Sequence, residues 1–349
     1  MKSASTAFLI LALALVSDLA PGQAGDPYRK FNEYRAVARS GGQYPGAPLR
    51  GKVIGFASIF GSPFTVAVEN GIKEQLNRAG LDLNKGWISM DNVGDAEIGL
   101  KNAQILLKRN PSFFIEFQWY PEVNNEVASM FGKAGIPVLA IDVPIPGAPF
   151  MGVDNHKVGL LAGHHMAKLI RKKWGGWEGV DILVVDRLAT AGEAVEQRSE
   201  GAVEALAAEF GIALDDRKIV RFDMDTSAEE AEGWGMRKVL EAHPEAAKIA
   251  LYGHNEPAMM GMIAAMQNAG RWDPASKIAV SAGADETGRS AIRDGLIDAA
   301  VAFFPEHYGE YIVPAVCAML TGDPVPSFIT VDNEIIDRGN IDRWYPRRK

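Results

Sequence analysis

The sequence has very little cysteine and no excess of basic residues, and each shortage excludes a class of protein. A single cysteine, Cys317, among 349 residues excludes an intramolecular disulfide and a cysteine-rich zinc or iron–sulfur site. The 36 basic and 44 acidic side chains give a formal net charge of −8, whereas binding a phosphate backbone needs a basic face. A nucleic-acid partner is therefore not expected. What the chain does have is length and 47% hydrophobic residues, which predict two folded lobes.

The sequence motifs of several enzyme and metal classes are also missing. There is no Gly-x-Gly-x-x-Gly or Walker loop for a nucleotide, and no Gly-x-Ser-x-Gly turn for a nucleophilic serine. His164 and His165 are adjacent on a predicted helix, so they point to different faces and cannot form a metal-binding pair. We expect no cofactor, no metal and no catalysis. A pair of carboxylates such as Asp142 and Asp285 leaves glycoside hydrolysis as an alternative.

Only one long hydrophobic run occurs, at the start of the chain. Lys2 precedes an apolar run from Ala7 to Val16, and small residues follow at Gly22-Gln23-Ala24. This pattern predicts an export signal over residues 1–24 that is cleaved after Ala24. A buried first helix or a membrane anchor is the alternative, but the run is shorter than the roughly 20 residues that a bilayer requires. We therefore expect a soluble protein released into the periplasm.

From Lys52 onward, short β-rich runs alternate with longer segments of helical periodicity. This alternation predicts an α/β fold with two doubly wound parallel-sheet lobes joined by a multi-strand hinge. Polar residues 25–50 are predicted to be an N-terminal extension that packs on the surface, or alternatively a docking segment for a partner. Hinge positions are expected at Asp154 and Phe303. The predicted boundaries are residues 51–153 plus 304–322 for the N-terminal lobe, and 154–303 plus 323–349 for the C-terminal lobe and tail.

Polar and aromatic residues follow the predicted strands, at the sheet edge where ligands bind in open parallel sheets. Aromatic rings cover the C–H faces of a sugar, and carboxylates and amides bond its hydroxyls. Helix capping or turn formation is the alternative role for Asp142, Asn155 and Asp285. The candidate ligand-binding residues are Ser62, Phe64, Gln118, Trp119, Asp142, Asn155, Glu196, Asn255, Asp285 and Phe303.

Several of these residues lie in an ordered series of short motifs. The series consists of Ser62-Pro63-Phe64, Gly135-Ile136-Pro137-Val138 leading to Asp142, Asp154-Asn155, Gln197-Arg198-Ser199-Glu200-Gly201, Ala242-His243-Pro244, Asn255-Glu256 and Asp285. From Gly51 to about Val331 the chain resembles the ribose/galactose-type periplasmic sugar-binding proteins that serve ABC importers. The resemblance implies a type I periplasmic binding protein fold. It also implies that Phe64 and Phe303 flank a ligand whose hydroxyls bond Asp142, Asn255 and Asp285.

The chain departs from the ribose-binding pattern at several implied pocket positions. Val143 stands where ribose binders have an arginine after the first-lobe aspartate, and alignment places Glu196 at a second arginine position. Ser62 replaces an asparagine, Thr65 a phenylalanine and Phe303 a glutamine. Loss of two guanidinium groups predicts an acidic pocket, because nothing compensates the aspartates. The expected ligand is then a linear or reduced polyol or an amino sugar rather than ribose.

The resemblance implies a solute-binding protein whose lobes close on a small polyhydroxylated ligand and present it to an ABC transporter permease. Such a protein would be a monomer that touches the inner membrane only through that complex. A periplasmic sensing subunit that presents the bound sugar to a receptor or sensor kinase is the alternative. A further alternative is an exported α/β domain without a small ligand. A lactose-repressor-type regulator is disfavoured, because the predicted export signal occupies the place of a DNA-binding domain.

Overall fold

Two α/β lobes, each built on a six-stranded sheet, make up the protein in the computed structural model, which describes residues 26–188, 192–224 and 229–347. All ladder pairs are parallel except one at the edge of the second sheet. The predicted fold class is therefore confirmed. The predicted export signal, residues 1–24, lies outside the described residues.

The first sheet has the strand order β11-β5-β4-β3-β1-β2. Every residue of its strand β1 is buried, because helices cover both faces of the sheet, and such strands are apolar without alternation. Strand order reverses beside β1, which is where open α/β sheets form a ligand crevice. The strands are β1 (Ile54–Ser58), β2 (Trp87–Asp91), β3 (Phe113–Glu116), β4 (Val138–Ile141), β5 (Phe150–Gly152) and β11 (Phe328–Thr330).

The second sheet repeats this arrangement with the order β12-β10-β9-β8-β6-β7, and its order reverses beside β6. Its edge strand β12 runs antiparallel to β10. The strands are β6 (Ile182–Leu188), β7 (Ile219–Met224), β8 (Ile249–Tyr252), β9 (Lys277–Gly283), β10 (Ala299–Ala302) and β12 (Glu334–Asp337).

The helices connect and cover these strands. They are α1 (Arg29–Ser40), α2 (Pro63–Arg78), α3 (Leu83–Gly86), α4 (Ala96–Lys108), α5 (Pro121–Ala134), α6 (Asn155–Trp174), α7 (Glu193–Phe210), α8 (Glu229–Ala242), α9 (Glu256–Asn268), α10 (Glu286–Asp294), α11 (Gly309–Leu320) and α12 (Ile341–Trp344). Within the described parts of the chain, none of them is both long and apolar enough to span a membrane.

The chain passes between the two lobes three times, after β5, after β10 and after β11. The third crossover corrects the predicted boundaries, which gave residues 323–349 to the second lobe. Strand β11 pairs with β5 in the first sheet, so that this crossover lies at residues 331–333. Both strands have only three residues, with β11 at the edge of the sheet and β5 next to it, and so short a run has no periodicity by which a strand could be predicted.

Helix α1, in the N-terminal extension, is an integral part of the first lobe. It packs against α11 and buries Phe31, Tyr34 and Ala38. At its C-terminal end, the Arg39 guanidinium bonds the Asp332 carboxylate at 2.8 Å. Because Asp332 belongs to the third crossover, the extension contacts the hinge as well as the first lobe.

Candidate ligand-binding site

Asp142 follows β4 at the carboxyl end of the first sheet, with its backbone in the left-handed region at φ +58°. Its N–H donates to the Met151 carbonyl at 2.8 Å, and a Cβ at Gly152 would lie only 3.0 Å from the Asp142 Cα. The Tyr308 hydroxyl lies 3.2 and 3.4 Å from the two carboxylate oxygens, to which it donates. Burial raises the pKa of Asp142 to about 7, although the Arg198 charge and the Tyr308 hydroxyl oppose this shift. The carboxyl group therefore changes its charge near neutral pH.

Phe64 and Phe303 join the two lobes. The Ser62 hydroxyl caps α2 by accepting from the Thr65 N–H at 3.1 Å, which places Phe64 in the first turn of the helix. The centre of the Phe64 ring is 6.2 Å from that of Phe303 and 5.7 Å from that of Tyr308, edge-to-face in both pairs. Phe303 follows β10 of the second sheet and is buried. The carboxyl ends of β1 and β10 therefore face each other across an interlobe cleft.

Gln118 and Trp119 follow β3, but the Gln118 side chain points into the first lobe. Its oxygen accepts from the N–H groups of Trp119 at 2.9 Å and Tyr120 at 3.3 Å, where α5 begins. Its amide nitrogen lies against Gly99 of α4, where a Cβ would be only 2.4 Å away. The Trp119 ring packs on Phe60, which follows β1, with 5.3 Å between centroids. The structure therefore brings Trp119, but not the Gln118 amide, beside the loop that carries Ser62.

Arg198 of α7 is held by several contacts in the second lobe. The Asn155 side-chain oxygen, at the start of α6, accepts from Arg198 Nε at 2.9 Å and from Nη2 at 2.6 Å. Arg198 Nη1 donates to the His254 carbonyl at 2.8 Å. The guanidinium carbon lies 4.8 Å from the centre of the Phe303 ring, as in a cation–π contact. With only 8% of its surface exposed, Arg198 provides a fixed positive charge beside Phe303.

The expectation that Glu196 leaves the pocket without an arginine is wrong. Glu196 precedes Arg198 by two residues, which is about 200° around a helix. The Glu196 carboxylate interacts instead with the charge of Arg187. The pKa of Arg187 is raised mainly by its hydrogen bond to Asp223 and, to a smaller extent, by the charges of Glu200 and Glu196. Arg198 is the α7 residue that lies on Phe303, and its positive charge acts on Asp142. The cleft therefore combines carboxyl groups with a guanidinium.

Asn255 and Asp285 both cap helices, which is the alternative role expected for Asp285. The Asn255 side-chain oxygen accepts from the Ala258 N–H at 2.9 Å where α9 begins. One carboxylate oxygen of Asp285 accepts from the Gly288 N–H at 2.9 Å where α10 begins, and burial raises the pKa of Asp285. Capping fixes both side chains at the carboxyl ends of β8 and β9. It does not exclude a ligand contact, because each side chain has a second polar atom.

Sequence reasoning missed the contributions of Arg198, Tyr308 and Glu256. Arg198 lies inside a motif that was already recognised, and Glu256 is adjacent to Asn255. The buried Glu256 carboxyl group accepts from the Ala284 N–H at 2.7 Å and from the Ser281 hydroxyl at 3.3 Å, and burial raises its pKa. Position next to a strand end was the available signal for Glu256. Tyr308 directly precedes α11, in the crossover after β10, so it does not lie at a strand end.

Comparison with known proteins agrees with this architecture. Residues 55–324 match the family model described as a periplasmic binding protein domain. The ribose import binding protein of Escherichia coli strain K12 is 24% identical over 308 residues, which cover 86% of this chain and 95% of that protein.

Two solved structures have a similar fold. One is an ABC transporter periplasmic solute binding protein from Actinobacillus succinogenes 130z with bound D-allose, with a TM-score of 0.71, 17% identity, and coverage of 84% of this chain and 99% of that one. The other is an ABC transporter solute binding protein from Bacillus halodurans C-125 with bound myo-inositol, with a TM-score of 0.68, 18% identity, and coverage of 84% and 97%. The resemblance inferred from the motifs is confirmed. Because the family model matches most of its residues, the chain belongs to the periplasmic binding protein family.

Proposed function

We propose that this protein captures a neutral sugar or sugar-like polyol between its lobes and delivers it to an ABC importer. In this proposal the protein works in the periplasm as a monomer after removal of residues 1–24, and it breaks no bond in its ligand. Arg198, Asp142, Phe64 and Phe303 are the residues to which we assign the main ligand contacts.

The observation that carries the proposal is a series of contacts that joins the two lobes. Tyr308 bonds Asp142 and its ring meets Phe64, and Phe64 in turn meets Phe303, on which Arg198 lies. Asp142 comes from the first lobe and Arg198 from the second, and the charge of Arg198 lowers the pKa of Asp142 against the effect of burial. A ligand that bonds both groups favours the closed arrangement of the lobes over the open one. Vicinal hydroxyls can donate to the carboxylate and accept from the guanidinium.

The same charges support a neutral ligand over an amino sugar. A cationic ligand would gain from the Asp142 carboxylate but would lie near the fixed positive charge of Arg198. Transport is favoured over sensing because the similar proteins are described as import or ABC transporter binding proteins.

Isothermal titration calorimetry with D-ribose, D-allose, myo-inositol, ribitol and D-glucosamine tests the proposal. We expect saturable binding of at least one of the four neutral compounds and none of D-glucosamine. Binding of D-glucosamine alone would refute the neutral ligand. The absence of binding to all five would favour the alternative of an exported domain without a small sugar ligand.

Variants in both lobes test the assigned site. We expect Asp142→Ala and Arg198→Ala each to weaken binding of the best neutral compound by about tenfold or more, because each leaves a buried partner without its hydrogen bond. Asp95→Ala is the control, since Asp95 caps α4 at the surface of the first lobe and should leave affinity unchanged. Unchanged affinity in both site variants would show that the ligand binds elsewhere on the protein.

A further inference from the structure

A buried carboxylate–imidazole pair lies beneath the second-lobe side of the cleft. Asp186 of β6 is fully buried, and His254, which follows β8, is 2% exposed. One Asp186 carboxylate oxygen accepts from the backbone N–H of His254 at 2.8 Å, and the other contacts the ring nitrogen Nδ1 of His254. Both carboxylate oxygens of Asp186 thus contact the same residue, His254, in the loop that follows β8. Removing charged groups from water is costly, and a buried pair is often no more stabilising than apolar side chains of similar size.

The pair is connected directly to Arg198. The carbonyl of His254 accepts from Arg198 Nη1 at 2.8 Å, while Asn155 accepts from the other side of the same guanidinium. These bonds all go to neutral oxygens, so their geometry depends on where the protein places those oxygens. Asp186 also fixes α7 itself, because its backbone carbonyl accepts from the hydroxyl of Ser199 at 2.8 Å.

We propose that Asp186 is a positioning residue of the ligand site, which acts through His254 to set the orientation of Arg198. The proposal rests on the proposed function insofar as Arg198 contacts the ligand. Asp186 holds the loop between β8 and α9, and this loop presents the His254 carbonyl to Arg198. The guanidinium is thereby held over the Phe303 ring. The same contact with His254 sets the start of α9, where the adjacent Asn255 caps the helix.

The chain contains a matched control at the other end of the same strand. Asp181 precedes β6, and one of its carboxylate oxygens accepts from the N–H groups of Ala247 at 2.8 Å and Lys248 at 2.7 Å, just before β8. Asp181 and Asp186 therefore both tie β6 to a loop that flanks β8. Asp181 lies at the amino end of the sheet, away from Arg198, whereas Asp186 lies towards the cleft. If only loop anchoring matters, the two aspartates should behave alike.

Four variants of the full chain separate positioning from stability. Asp186→Ala removes the contact with His254, and Asp186→Asn keeps one oxygen for the His254 N–H. The double variant Asp186→Leu with His254→Leu replaces the buried pair by apolar side chains, which keeps the proposal testable if Asp186→Ala does not fold. Asp181→Ala is the control. The measurements are the melting temperature, calorimetric titration with myo-inositol and D-allose, and the Arg198 Nε–H signal in a ¹H–¹⁵N NMR spectrum.

We expect Asp186→Ala and the double variant to lose about tenfold in affinity for the compound that the wild type binds, and to lose the protected Arg198 Nε–H signal. Asp186→Asn should stay within about threefold of the wild-type affinity and keep the signal. Asp181→Ala should keep both, even where its melting temperature falls. The double variant is the most informative, because it leaves no buried imidazole without its carboxylate. Its melting temperature should therefore fall less than that of Asp186→Ala, while its affinity is still lost.

Retention of affinity and of the Arg198 signal in the double variant would overturn the proposal, as would an equal loss of both in Asp181→Ala. If the wild type binds neither probe, the proposed function is in question for these ligands. The Arg198 signal then still decides whether Asp186 positions the guanidinium, because that measurement needs no ligand.

Discussion

Among single residues, Asp142 makes the most direct link between pH and stability. Its pKa is about 7 in the folded protein, mainly because of burial, compared with 3.8 for an ordinary aspartate. Between these values the folded state holds a proton that the unfolded chain releases, so stability falls as pH rises through this window. We expect Asp142→Asn to be more stable than wild type by about 1–3 kcal/mol near pH 8, because the amide carries no buried charge.

Chemical denaturation of the two proteins at about pH 5 and pH 8 measures this effect. The difference in free energy of unfolding should shrink towards the lower pH, where the wild-type carboxyl is protonated when folded. If the difference in free energy of unfolding between the two proteins stays constant with pH, the stabilisation comes from packing and not from the charge of Asp142.

The site could be predicted from the sequence where a residue directly follows a buried strand. Asp142 was predicted in this way, whereas Phe64 belongs to a short motif after β1 and Phe303 was implied by the family resemblance; the structure places Phe64 in contact with Phe303. The choice between Glu196 and Arg198 could not be made by spacing. Residues two apart on a helix point in nearly opposite directions, and only the packing of α7 on α6 decides which one meets Phe303.

At the scale of elements, the close approach of α6 and α7 makes the Arg198–Asn155 contact possible. A Cβ at Gly159 of α6 would lie 2.2 Å from the Arg198 carbonyl oxygen and 2.8 Å from the Ala202 nitrogen, which are backbone atoms that cannot move aside alone. We expect Gly159→Ala to push the helices apart, with a loss of stability of about 1–3 kcal/mol and a loss of affinity for the best neutral compound.

Gly163→Ala is the matched control for this prediction. A Cβ there would lie 2.3 Å from the Ala202 carbonyl oxygen, so the steric conflict is similar but one turn further from Asn155. Thermal unfolding and calorimetry on both variants should show similar losses of stability, with the larger loss of affinity in Gly159→Ala. Equal loss of affinity in the two variants would show that the spacing at Asn155 has no special role.

The strands and helices that could be predicted from the sequence are those whose burial requires a recognisable pattern of apolar residues. Central strands such as β1 and β8 are fully buried and therefore apolar throughout, and their helices carry caps such as Ser62 and Asn255. Strands at a sheet edge or next to it have less of this constraint. The unpredicted strands β5 and β11 have three residues each, and β12 has four with one exposed. The error in the lobe boundary at residue 323 follows from these short strands.

At the scale of the whole molecule, the proposed function requires the two lobes to open and close, and three crossovers connect them. The edge-to-face contact between Phe64 and Phe303 joins the lobes directly, and Arg39 of α1 holds the third crossover through Asp332. A surface ion pair such as Arg39–Asp332 contributes about 0–1 kcal/mol, whereas an aromatic pair adds about 0.5–1.5 kcal/mol beyond the burial of its area. The aromatic contact should therefore contribute more than the ion pair to the free-energy difference between open and closed forms.

Phe64→Leu tests the contribution of this contact, because leucine keeps the first turn of α2 apolar but removes the ring that meets Phe303. The two forms of such a protein differ by only a few kcal/mol, so losing this contact should raise the open population. We expect a larger radius of gyration by small-angle X-ray scattering without added sugar. Binding should also be weaker, because the variant reduces both the closed population and the ligand contact assigned to Phe64. Phe60→Leu is the control, since Phe60 packs on Trp119 within the first lobe. A radius of gyration equal to that of wild type in Phe64→Leu would show that the crossovers, rather than this contact, set the equilibrium.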